Sequence, residues 1–162
     1  MKRIFFLTIL CSVLLRPAIF AQSKTADFSG SWTLATDKSS FGKLPAVVAV
    51  QQMTVTQNAN KLTIISVNGE NKNTYINTLD NQPANIITGA GAKIISSVQS
   101  NGEKGLQRSL QASVPNEYDK IQYTRVETWT LGADGKTLSM AVTVTPGGAG
   151  SPYSFTAVYD KQ

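Results

Sequence analysis

From Lys120 to Thr145 apolar and polar residues alternate in two runs on either side of the turn Gly132-Ala-Asp-Gly-Lys136. Alternation is the pattern of a half-buried strand, because successive side chains leave a strand on opposite faces. An Asp-Gly pair between two such runs is a strong hairpin signal. On the first run Ile121, Tyr123, Arg125, Glu127, Trp129 and Leu131 share one face, and on the second Leu138, Met140, Val142 and Val144 do. The opposite faces are rich in Thr, which suits a solvated sheet surface and keeps strand propensity. Arg125 and Glu127 are the anomaly, two charges on the face that should be buried.

The same period continues along the chain. Phe28 to Leu34 reads as a first strand with Phe28, Trp32 and Leu34 in phase, and Asp37 to Pro45 as a loop of turn formers. Val47 to Gln57 and Lys61 to Val67 read as strands joined tightly through Asn58-Ala-Asn60, and Lys72 to Asp80 as a shorter one. Asn81 to Gly91, with Pro83, Gly89 and Gly91, reads as a loop. Ala92 to Gln99 and Gly105 to Ala112 read as strands around an Asn-Gly turn, Pro115 to Asp119 and Pro146 to Pro152 as loops, and Tyr153 to Tyr159 as the last strand. No stretch has a helical period. Short strands with close turns predict an all-β, antiparallel fold of about eight to ten strands. A chain of hairpins gives up-and-down order, and a barrel closes its own edges where a sandwich must protect them. An up-and-down β-barrel is therefore expected, as a single domain over 28–162.

The first residues break the pattern. Lys2 and Arg3 precede an apolar run from Ile4 to Leu15, and Ala21 offers a small residue for cleavage. This predicts a signal peptide over 1–21, a flexible lead over 22–27, and export to the periplasm or beyond the cell, with no membrane span in the mature chain. Cys11, the one cysteine of the sequence, leaves with the leader, so the exported domain must hold together without a disulfide. Of the fifteen Lys and Arg, three (Lys2, Arg3, Arg16) lie in the leader with none of the ten Asp and Glu, so the formal +5 becomes +2. No basic cluster interleaves with aromatics, which disfavours nucleic acid as a partner.

Little remains for chemistry. The chain has no His and the exported part no Cys, which removes the commonest general base, metal ligands and thiol nucleophile. Glu117, Asp119, Asp80 and Asp134 all fall in turn contexts. No catalytic residue, metal or cofactor is expected, and the chain reads as something other than an enzyme. Arg108 is in phase with Leu106 and Leu110, so it can point inward with Arg125. Two readings follow. In one, Arg108 and Arg125 form a polar floor for an anionic or carbonyl group, with Glu127 beside them. The cup is then lined by Met53, Val55, Tyr123, Trp129, Met140 and Tyr153. In the other, Arg125 and Glu127 form a half-wet structural pair near a barrel end. Trp32 reads as a core plug at the base.

Phe28-Ser-Gly-Ser-Trp-Thr-Leu34 resembles the G-x-W signature of the first strand of lipocalin-like proteins. The segment from Arg125 to Leu138 and the terminal Phe155-Thr-Ala-Val-Tyr-Asp-Lys161 resemble the small secreted lipocalin-like, calycin-type β-barrels of Bacteroidota. The resemblance implies an eight-stranded barrel with a cup for a small, usually apolar ligand, and a basic residue over Trp32, the place of Lys161. The partner expected is a small hydrophobic or amphipathic molecule, and the domain is expected to be a monomer. The rival expectation is a packed barrel acting through its loops, as a protein-interaction module or protease inhibitor.

Overall fold

A computed structural model describes residues 25–87, 91–114 and 117–162. The expected leader over 1–21 lies outside the described residues. Ten strands follow in chain order: β1 (Gly30–Leu34), β2 (Gln52–Asn58), β3 (Lys61–Asn68), β4 (Asn71–Thr78), β5 (Ala84–Ile87), β6 (Lys93–Ser100), β7 (Leu106–Val114), β8 (Glu117–Leu131), β9 (Thr137–Pro146) and β10 (Tyr153–Lys161). The sheet order is β4-β3-β2-β1-β10-β9-β8-β7-β6-β5, with every pair antiparallel. Consecutive strands pair throughout except β4 and β5, and β1 with β10 brings the ends of the chain together. The result is an all-β, antiparallel up-and-down barrel, nearly closed.

The two ends of the sheet order, β4 and β5, meet only at one end of the barrel. There Asp80 bridges Gln99, the Asn81 amide donates to the Val98 carbonyl (2.8 Å), and the Ser100 amide donates to the Leu79 carbonyl (3.2 Å). Asn77, buried on β4, donates from Nδ2 to the Ser96 carbonyl at 2.9 Å and accepts from Ser96 Oγ at 3.2 Å. These polar groups are inside because the sheet edges they bridge would otherwise leave buried backbone unpaired.

The base is apolar. Trp32 is 1% exposed, and its Nε1 donates to the Phe28 carbonyl at 2.9 Å. Lys161 lies across from Trp32 in the β1–β10 register, with Nζ 5.3 Å from the indole ring. Phe28 meets Trp129 edge-on, centroids 5.8 Å apart. At the other end the β1–β2 connection crosses the barrel. It follows β10 through a Ser40–Thr156 bridge, seats Phe41 5.8 Å from Phe155, and makes short 3-10 turns at Thr36–Lys38 and Ala46–Val48. Asn68 Nδ2 donates to the Val47 carbonyl (3.3 Å), tying this segment to the β3–β4 turn.

Three boundaries differ from the expectation. Residues 84–87 form β5, not loop. This four-residue strand, flanked by Pro83 and the glycines after it, is too short to show alternation, and it exists because β6 offers an edge. Val47 and Val48 belong to a turn over the barrel end rather than to β2. β8 begins at Glu117, inside the expected loop, with irregular pairing to β7 near Ser113. Among the described residues no helix is long and apolar enough to cross a membrane.

Candidate functional site

A cavity of about 350 Å³ opens toward the crossed end of the barrel. Its apolar lining includes Met53 on β2, Ile64 on β3, Leu110 on β7, Trp129 on β8 and Met140 on β9. Its rim is polar, with Asn68, Asn71 and Asn73 from β3 and β4, and Val48 and Val50 of the crossing segment beside them. Arg108, Arg125, Glu127, Tyr75 and Tyr123 complete the lining, Arg108 and Glu127 two residues along β7 and β8 from the Leu106–Trp129 pair.

Sheet register builds the charged cluster. Arg108 pairs directly with Glu127 across β7 and β8, so both side chains leave the same face at close quarters. Arg125 precedes Glu127 by two positions and shares that face by strand period alone. Arg125 Nε donates to Glu127 Oε1 at 2.7 Å. Trp129 Nε1 donates to Oε2 at 2.9 Å, and Arg108 Nη1 approaches the same oxygen at 3.5 Å. Arg108 Nε reaches Ser96 Oγ at 3.5 Å, joining the cluster to the Asn77–Ser96 closure. The Arg108 guanidinium also stacks on Tyr75, 4.2 Å from the ring centre, and Arg125 lies 5.6 Å from the Phe155 ring.

The cluster is dry. Side-chain exposure is 6% for Arg108, 15% for Arg125 and 4% for Glu127. Burial works to raise the Glu127 pKa, but the charges of Arg125 and Arg108 and the bonds from Trp129 and Arg125 outweigh it, and the net direction is down. For Arg125 burial works downward, and the charge and hydrogen bond of Glu127 carry the pKa up. Burial raises the pKa of Tyr123 and, more strongly, of Tyr159, whose hydroxyl also feels Glu127. Glu127 and Arg125 therefore stay charged near neutrality, and Tyr123 and Tyr159 stay neutral. Among the described residues, two buried side-chain atoms have no hydrogen-bond partner: Arg108 Nη2 and Tyr159 Oη.

Of the nine residues expected to line the cup, seven meet here: Met53, Arg108, Tyr123, Arg125, Glu127, Trp129 and Met140. Val55 does not, because it is 2% exposed within the core rather than on the cavity wall. Tyr153 does not either. It stands at the start of β10, 37% exposed, where the strand has left the interior. The expectation of a half-wet Arg125–Glu127 pair is corrected too, since Arg108 joins it and the group is buried. Tyr75 and the rim asparagines went unseen for a definite reason. β4 puts Asn73, Tyr75 and Asn77 inward and Ile76 outward, 50% exposed, so apolar alternation points to the wrong face.

No family model matches the sequence, and no curated protein matches it. The fold does have solved likenesses. One is described as REP1-NXSQ fatty acid transporter, with TM-score 0.56, 14% identity, and coverage of 84% of this chain and 96% of that one. Another is a Schistosoma mansoni fatty acid binding protein in complex with arachidonic acid, with TM-score 0.53, 20% identity, and coverage of 83% and 96%. At these identities the likeness is one of fold, an antiparallel β-barrel.

Proposed function

We propose that this protein is an exported, non-catalytic carrier that takes a small hydrophobic or amphipathic molecule into the barrel, polar group against Arg108 and Arg125. The observation that supports this most is the cavity itself. A barrel serving only as a loop scaffold would fill its interior with side chains. Here about 350 Å³ is open beside Met, Ile, Leu and Trp side chains, a volume within the range of small-ligand sites. Arg108 Nη2 is buried and donates to nothing among the described residues, so a ligand acceptor toward which the guanidinium turns would complete it. Carriage of fatty acids by barrels of like fold accords with this reading. The basic, apolar, small-residue order of Met1 to Ala21 supports export, with a mature chain beginning at Gln22 and a place among small secreted lipocalin-like barrels.

Native mass spectrometry of the protein purified from its own host tests both parts. The expected result is a chain starting at Gln22 with a stoichiometric small molecule that organic solvent extracts and that fatty acids displace, with quenching of Trp129. A ligand-free mass and no quenching by any amphiphile would overturn the carrier reading in favour of a barrel that acts through its loops.

A further inference from the structure

The buried charges around the cavity do not cancel. Arg108 and Arg125 bring two positive charges and Glu127 one negative, and no other charged side chain lines the cavity among the described residues. Besides the two arginines, the cluster is surrounded by uncharged donors and rings: Trp129 and Tyr123 on Glu127's own strand β8, Tyr159 on β10, and, against Arg108, Ser96 on β6 and Tyr75 on β4. Glu127 is also spent. Oε1 accepts from Arg125, and Oε2 accepts from Trp129 and Arg108. What the cluster offers a ligand is one net positive charge, with Arg108 Nη2 buried beside it and, among the described residues, without a hydrogen-bond partner.

We propose that Glu127 is a specificity-determining residue that limits the ligand's buried head group to a single negative charge, the class of carboxylates and other monoanions. This rests on the carrier reading. A monoanion makes the dry cluster neutral. A neutral head group leaves one uncompensated charge in the interior. A dianion reverses the imbalance and must also shed far more hydration, because the cost of burying an ion grows steeply with its charge. With Glu127 neutralised the cluster would carry two positive charges and suit a dianion instead.

The test is calorimetric titration of the purified protein with three amphiphiles of one tail: decanol, decanoate and decyl phosphate. At pH about 8 the phosphate is a dianion, since its second pKa is about 6. Decanoate is expected to bind at least about tenfold tighter than either of the others, a modest share of the interaction between unit charges at close range. Glu127→Gln is expected to move the preference toward decyl phosphate by a similar factor. Wild-type protein supplies a check that needs no variant. The chain has no histidine, Glu127 stays ionised, and Tyr123 and Tyr159 stay neutral in this window. Decyl phosphate should therefore bind more tightly as pH falls from about 8 to about 5.5 and the head group becomes a monoanion. Decanoate and decyl phosphate binding alike at every pH, or decanol binding as well as decanoate, would overturn the proposal while leaving the carrier reading intact. No binding by any of the three would overturn both.

Discussion

Replacing Glu127 by Ala probes the cluster most directly. The carboxylate is 4% exposed and holds Arg125, Trp129 and Arg108 at 2.7, 2.9 and 3.5 Å. Its removal leaves two guanidinium groups facing each other in the interior, together with an indole donor that has lost its acceptor. At an effective dielectric constant near 20, each lost attraction at about 4 Å is worth about 4 kcal/mol before relaxation. Breaking a buried pair by deleting one partner costs about 3–5 kcal/mol in practice. The expected result in urea is a lower midpoint at unchanged m, with a stability loss of about 3–5 kcal/mol and a fall in Tm of roughly 10–20 °C. Arg125→Met in the Glu127→Ala background restores the original net charge and should recover at least about 1 kcal/mol. Acid adds an independent readout. The folded-state pKa of Glu127 lies below its usual 4.5, so its contribution is complete above that value and is lost as pH falls through the folded pKa. Asp27, held down by its bonds to Ser29, acts in the same window. Wild-type stability should thus fall below pH about 4.5, less steeply in Glu127→Gln. A cost under about 1 kcal/mol for Glu127→Ala, the scale of an exposed pair, would refute the account of a dry cluster.

Other perturbations address the frame. Tyr159→Phe removes a buried hydroxyl that lacks a partner, so denaturation at neutral pH should show no loss and a gain of up to about 1 kcal/mol. Because the folded pKa of Tyr159 is raised, its contribution is complete below pH about 10 and is lost in stronger alkali, and the Phe variant should resist alkaline unfolding better. Gly105→Ala places a Cβ onto the Trp129 carbonyl at φ 138°, and a loss above about 2 kcal/mol is expected by urea titration. Gly135→Ala, in open space at φ 66°, should cost only about 1 kcal/mol. Trp32→Ala empties the base and should cost about 3–5 kcal/mol, read by thermal melting.

Local pattern carried most of the frame. Alternation reports which face of a strand is buried, and Asp-Gly and Asn-Gly turns report where strands reverse, so most of the strands and the sequential order were legible along the chain. The place of Lys161 over Trp32, which the resemblance to lipocalin-like proteins implied, agrees with the β1–β10 register. The inward direction of Arg108, Arg125 and Glu127 followed from phase, since a charge two positions from a buried Trp on a strand shares its face. What phase cannot carry is distance around the barrel. That Arg108 lies opposite Glu127 depends on the β7–β8 register, and that Tyr75 reaches Arg108 depends on the curvature that brings β4 round beside β6. β4 defeated the pattern because its inner face lines a polar cavity and so carries Asn and Tyr where a core strand would carry Val or Leu. β5 and the segment over the mouth have no signal of their own. They are ordered by an available edge on β6 and by contacts of Phe41 and Val47 with distant strands. Strand phase is a property of consecutive residues and is written in their order. The open volume, the single uncompensated charge and the unpartnered Arg108 donor arise from side chains far apart in sequence, and only closure of the barrel brings them together.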